Sequence, residues 1–149
     1  AVDDASQDML DVARSDNTER YQLVAEFVDT NDLIETNVVS AMNANVAFYN
    51  GLSEGGAFEG ALTQDQILSD VYDQEPEIRT NTSDWIYRFL LMAYAPVQDA
   101  DIQAYIDFSN TDAGQALNTA LFAAFEDTLN DINHSLGFEA ARFMITQDL

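Results

Sequence analysis

An all-α fold of about six to eight helices, closed by a long C-terminal helix, is what this sequence predicts, and three observations predict it. Apolar residues recur at three- and four-residue spacing along nearly the whole chain. Only two prolines interrupt it, Pro76 and Pro96, and no run alternates apolar with polar residues as a half-buried strand does. With 149 residues, 47% of them hydrophobic, the chain has the size of a single domain over residues 1–149 and enough apolar material for a core without staples.

The elements follow in order. A first helix covers residues 4–14, the most loosely attached of the set, and Ser15-Asp16-Asn17 breaks it. The second turns Tyr21, Val24, Phe27 and Val28 inward and ends at the cap-rich corner Asp29-Thr30-Asn31. Residues 32–52 form a long helix in which Val38, Met42, Asn45, Tyr49 and Leu52 make a heptad-like seam, Asn45 being its register-fixing polar contact. Four of the six glycines fall in residues 51–60, a stretch too flexible for helix interior, so the long helix ends there in a loop. Thr63-Gln64-Asp65-Gln66 is a capping box, and the helix it starts stops before Pro76. Asn81-Thr82-Ser83-Asp84 opens the next helix, which Pro96 ends, and Asp99 caps a short one carrying Ile102, Tyr105 and Ile106.

In the last helix Leu117, Leu121, Phe125, Leu129, Ile132 and Leu136 line one broad side, and Ala113, Ala116, Ala120 and Ala124 form a small-residue stripe on another. A helix flanked on both sides sits centrally in a bundle or joins two subunits. Gly137 marks a kink in it, and no internal repeat or linker divides the chain.

Charge narrows the function. Against 27 acidic side chains stand five basic ones, all arginine, for a formal charge of −22. Phosphate-neutralising nucleic-acid binding is excluded. The absence of cysteine and lysine excludes disulfides, thiolate chemistry, cysteine-ligated zinc and Schiff bases. The acids fill every third of the chain rather than a tail, which reads as a solvated, salt-tolerant surface. Carboxylate clusters holding Ca²⁺ or a basic partner are the sharper alternative. No segment approaches the ~20 apolar residues of a membrane span. The opening Ala1-Val2-Asp3, without an initiator methionine, is the expectation for a periplasmic or secreted protein whose signal peptide has been removed.

Motifs for chemistry are weak. Gly51-Leu52-Ser53-Glu54-Gly55 matches the Gly-x-Ser-x-Gly nucleophile elbow with the sole histidine, His134, downstream. That elbow depends on a strand-to-helix turn, and here the serine follows a helix, so a helix-terminating loop is the expected structure and a Ser53/His134 hydrolase the remote one. No EF-hand register exists, and a di-iron bundle needs a second Glu-x-x-His that one histidine cannot supply. His134 is expected to pack or sit on a helix surface. Neither a catalytic constellation nor a cofactor is implied, Ca²⁺ being the single ion the composition favours.

Arg88, inside Trp85-Ile86-Tyr87-Arg88-Phe89-Leu90-Leu91-Met92, needs a carboxylate or carbonyl partner if buried. Its functional alternative is a cavity among Trp85, Arg88, Tyr49 and Tyr105 that receives an acidic or aromatic ligand. The aromatic set Phe48, Tyr49, Tyr105, Phe108, Phe122 and Phe125 is expected in the core.

The run Ala104-Tyr105-Ile106-Asp107-Phe108-Ser109-Asn110-Thr111-Asp112-Ala113-Gly114-Gln115 resembles the Phe-x-(Ser/Thr)-x-x-Gly-Gln type segment of domain of unknown function family 2059, mostly secreted or periplasmic bacterial all-α domains. The matching positions are Phe108, Thr111, Gly114 and Gln115, between a short helix and a long one, and the likeness is clearest over residues 99–125. It implies an all-α fold and export, and transfers no catalytic residue. Physically, Thr111 is placed to cap the long helix, Gly114 to let the short helix lie close, and Gln115 to bond back across the corner. The function expected is a non-enzymatic exported domain acting through protein association, as a homo-oligomer or with another protein partner, with the ligand cavity as the alternative.

Overall fold

A computed structural model describes residues 2–58, 60 and 62–147; Ala1, on which the reading of a removed leader rests, and Glu59 of the glycine-rich stretch lie outside them. Seven helices follow one another, α1 (Val2–Ser15), α2 (Glu19–Thr30), α3 (Leu33–Glu54), α4 (Gln64–Asp73), α5 (Glu75–Ala93), α6 (Asp99–Ser109) and α7 (Asp112–Gln147), and the described residues contain no strand. The fold is all-α with a C-terminal helix of 36 residues. None of these helices is long and apolar enough to cross a membrane.

The chain gathers into two compact units that interleave in sequence. One comprises Ala1–Asn37 and Arg79–Ala120, the other Val38–Ile78 and Leu121–Leu149, so no single cut separates them.

The first unit holds most of the core. Leu10 and Ala13 of α1, Val24, Phe27 and Val28 of α2, Ile86, Tyr87, Leu90 and Leu91 of α5, and Ile102 and Ile106 of α6 are buried in one cluster. Leu10 is fully buried, so α1 is docked rather than loose. Thr18 caps α2 by accepting from the Tyr21 amide. At the other end of α2, Asn31 is buried, its side-chain amide donating to the Phe27 carbonyl, and Asp32 takes the left-handed conformation (φ 49°) that turns the chain into α3.

Arg20 fastens the far side of this unit. Its guanidinium donates to the Tyr94 and Val97 carbonyls at 3.2 and 2.7 Å and pairs with Asp99 at 2.8 Å, tying α2 to the turn between α5 and α6. Asp99 is thus the first residue of α6 rather than its cap. Gln98 takes the cap position without a side-chain bond.

The second unit has a thinner core. Its buried apolar residues are Val38, Ile67, Val71 and Ala141. Thr63 and Gln66 form the expected capping box at the start of α4.

Two further helix boundaries differ from the sequence reading, and α7 continues through Gly137 as expected. α5 begins at Glu75 and runs through Asn81–Asp84, because Pro76 falls in its first turn, where a missing N–H costs nothing. α3 continues past Gly51 to Glu54, and α7 passes Gly137 without a break in helix. In both cases the glycine serves contact rather than flexibility.

Candidate functional site

The Gly-x-Ser-x-Gly run is where α3 meets α7. A Cβ built on Gly51 would collide with the His134 carbonyl, and one on Gly137 with the Phe48 carbonyl. A Cβ on Gly55 would come within 2.5 Å of Ala141 Cβ and 2.7 Å of the Phe138 carbonyl. Gly51 and Gly55, four residues apart on one face, thus interlock with Gly137 and Ala141, also four apart. Side-chain-free positions let two helix backbones approach closely.

The chemistry suggested by that run is taken up by structure. The Ser53 hydroxyl oxygen accepts from the Leu62 amide at 3.2 Å, holding the chain that returns toward α4. His134 Nε2 meets Glu54 Oε2 at 3.1 Å, a half-exposed contact between α7 and the last residue of α3. A helix C-terminus stands where an elbow serine needs a strand-to-helix turn. Among the described residues no group of three or more histidines and carboxylates is placed to hold a metal.

The residues proposed to line a ligand cavity take these places. In the first unit, Trp85 is exposed and stacks on Phe89 with ring centroids 5.3 Å apart. Arg88 is half-buried, its Nε donating to the Asp84 carbonyl one turn back at 3.4 Å. Tyr105 is exposed at one edge and leans on Phe27 at 5.0 Å. Tyr49 belongs to the second unit, edge-on to Phe48.

Arg20, with its three partners on the turn after α5 and at the start of α6, is a residue that the sequence reading passed over. Arg14 likewise pairs with Asp84 at 3.1 Å and lies 5.9 Å from the centre of the Tyr87 ring. The pairing holds the Arg14 pKa above its ordinary value, through the Tyr21 hydroxyl first and the Asp84 carboxylate after it, against the cost of burial. A signal was present for Arg20, which Leu23 and Val24 follow at three and four residues, but not for Arg14, which is followed there by Asn17 and Thr18.

The corner from α6 to α7 agrees with the roles assigned to it. Thr111 Oγ1 accepts from the Gly114 amide at 3.1 Å as a cap. A Cβ on Gly114 would strike the Phe108 carbonyl, and Gln115 donates to the Ser109 carbonyl at 2.6 Å and the Thr30 carbonyl at 3.3 Å. Asn118 reaches the Asn31 carbonyl at 3.0 Å, so the start of α7 is keyed to the end of α2.

The feature left without a structural use is the outer face of α7. Leu117, Leu121, Phe125, Leu129, Ile132 and Leu136, expected at the centre of a bundle or at a junction of two subunits, are exposed in the single chain, Phe125 at 64% and Leu136 at 57%. Ala113, Ala116, Ala120 and Ala124 are exposed as well. The reason is visible in the second unit: α7 packs there through Gly137 and Ala141 on the side facing α3, which leaves the leucine side outward. Of the expected aromatic core, Phe125 is exposed for the same reason, Tyr105 and Phe108 of α6 are exposed in the first unit, and Phe48, Tyr49 and Phe122 are half-buried.

Within the second unit this face runs from Leu121 through Leu136 to Phe143, and Ile145 lies on the other side of α7, against Gly56. At about 100° per residue, Glu126, Asp127 and Asp131 lie roughly 100° or more round the helix from its centre, so the stripe from Leu121 to Leu136 is free of charge. A shallow open depression lined by Asp131, Ile132, Ser135, Leu136 and Glu139 indents its edge. Comparison with known proteins finds no matching family model, no matching curated protein and no matching solved structure.

Proposed function

We propose that this protein works by association, and that the outer face of α7 is the surface that associates. The observation that carries the reading is the contrast within the second unit. Its buried apolar set among the described residues is small, while Leu121, Phe125, Leu129, Ile132 and Leu136, with Phe143 beyond, stand in solvent along one side of α7. Large contiguous apolar surface on a chain this acidic is a surface for another protein. Export and kinship with domain of unknown function family 2059 are part of the same proposal. They are supported by the cysteine-free acidic composition and by Phe108, Thr111, Gly114 and Gln115, whose contacts fit the corner roles that the resemblance suggests.

The test is photo-crosslinking in the cell that makes the protein. A benzophenone amino acid at Phe125 is expected to give protein adducts on irradiation, and the same group at Asp127, on the other side of α7, is expected to give none. Absence of adducts at Phe125 refutes the association reading.

A further inference from the structure

Asn50-Gly51 is the one Asn-Gly step in the chain, and it lies in α3 where that helix crosses α7. In a flexible segment this step is chemically labile. The Gly51 nitrogen attacks the Asn50 side-chain carbonyl carbon, ammonia leaves, and the succinimide ring so formed opens with water at either carbonyl to give aspartate or isoaspartate. Glycine favours the attack because no Cβ crowds the nitrogen. Water is the only co-reactant.

The fold withholds what the reaction needs. Ring closure requires the Asn50 ψ to leave the helical value of about −40°, and the step lies within the helix that runs from Leu33 to Glu54. The Gly55 amide donates to the Gly51 carbonyl at 2.9 Å, so the helical ladder continues beyond the step. Asn50 Oδ1 accepts from Gln64 Nε2 at 2.7 Å, which ties the side chain to the start of α4. Gly51 is buried, with the His134 carbonyl where a side chain would stand. Gly137 in turn lies against the Phe48 carbonyl and the Leu52 amide, on either side of the step.

We infer that Asn50-Gly51 is a guarded modification site: it deamidates through openings of the end of α3 that also part α3 from α7, and the change then marks the chain permanently. The two products differ in consequence. Aspartate keeps an acceptor for Gln64 and adds one negative charge to a chain already at −22. Isoaspartate carries the backbone through its Cβ, so α3 gains one main-chain atom immediately before Gly51. Gly51 and Gly55 then no longer fall opposite Gly137 and Ala141 in one register, and the crossing cannot reclose as it was. A transient opening thereby becomes irreversible. The inference stands independently of the association reading, since every residue it uses lies at the α3 side of α7 or on α3 and α4.

The full chain is aged in mildly alkaline buffer, and peptide mapping by mass spectrometry follows the amide-to-acid conversion at Asn50, with electron-based fragmentation separating isoaspartate from aspartate. In urea above the unfolding transition Asn50 is expected to convert fast, and in native buffer more slowly by about tenfold or more, the factor by which opening is rare. Gly137→Ala, which parts the helices, is expected to speed the native conversion by about tenfold, while Gly60→Ala, with nothing near its Cβ, leaves it unchanged. Should Gly137→Ala fail to fold, the parent chain in urea below its transition supplies the same test, because an opening that exposes the crossing becomes more frequent with denaturant.

A native conversion as fast as that of the unfolded chain overturns the guard. A slow native conversion that neither Gly137→Ala nor urea below the transition accelerates overturns the link to the crossing with α7.

Discussion

Replacing Gly137 by alanine opposes two known quantities of opposite sign. In an unencumbered helix interior, glycine to alanine is stabilising by about 1 kcal/mol. At 137 the new methyl falls on the Phe48 carbonyl and within 3.0 Å of the Leu52 amide nitrogen, both of them α3 backbone atoms that cannot rotate away. The helices must part, and with them the contact of Gly51 against His134. Overpacking costs about 1–3 kcal/mol, and rigid backbone on the receiving side places this site at the upper end. Set against the gain in propensity, the net loss is about 2 kcal/mol, or a Tm lowered by about 4–8 °C for a chain of this length. Urea and thermal unfolding followed by far-ultraviolet circular dichroism measure it. Gly60→Ala is the control, because nothing lies within 4 Å of a Cβ there, and it is expected to leave stability unchanged or slightly raised. The Gly51→Ala/Gly137→Ala double variant should lose less than the sum of the single losses, since the first methyl already separates the helices. A Gly137→Ala protein as stable as the parent, or more so, refutes the interlocked crossing.

Other measurements probe the remaining parts of the structure. Arg20→Ala should cost about 1–3 kcal/mol in chemical denaturation by removing charged donors from the Tyr94 and Val97 carbonyls and the partner of Asp99, and Arg20→Lys should recover only part, since an ammonium cannot span all three acceptors in one plane; wild-type stability in Arg20→Ala counts against the clamp. Thermal stability should rise from low to moderate NaCl because a charge of −22 repels itself, and a flat Tm across that range shows that the repulsion is locally compensated. Burial foremost, then the neighbouring Tyr21 and Asp29 for Tyr87 and Tyr105 for Tyr94, raises both phenol pKa values above the ordinary 10.0. The unfolded chain therefore loses these protons first, so stability is intact below about pH 10 and falls as pH climbs beyond it, and Tyr87→Phe should flatten that fall relative to the parent. Millimolar Ca²⁺ at matched ionic strength should leave Tm where the monovalent control puts it, given that no carboxylate group among the described residues is arranged to hold a metal; a clear upward shift reveals a site.

How much of this was legible in the sequence depends on which interaction set each feature. Local signals carried well: the capping box at Thr63 and Gln66, the Thr111 cap and the stop at Pro96 are decided by atoms within a few residues of one another. Pro76 misled because proline has two local meanings, a stop after the fourth residue of a turn and a good first-turn residue, and Glu75 and Glu77 beside it favour a helix start. The glycines misled for a different reason. Gly51 and Gly137 have the composition of breakers, but each is fixed by a backbone atom more than 80 residues away, which no local pattern contains. The same holds for Arg20, whose acceptors lie on the turn after α5. Asn45 kept its polar role through a long 3.5 Å contact with Gln74, a partner the seam itself does not name.

The candidate site was half legible for a related physical reason. Periodicity states that a helix has an apolar side; it is indifferent to whether that side is covered by the same chain or by another, because the free energy of removing apolar surface from water is the same in either case. Residue size and charge carry the missing information. Along α7 the positions that face α3 are small, Gly137 and Ala141, as a close intramolecular crossing demands. The positions that face outward from Leu121 to Leu136 are large and uncharged. A helix with one side cut for close approach and the other left broad has two different neighbours. The first is α3, and on the proposed reading the second is a partner protein. On the proposed association reading, this division also accounts for the few buried apolar residues among the described residues of the second unit, since a partner would cover its large outward side chains.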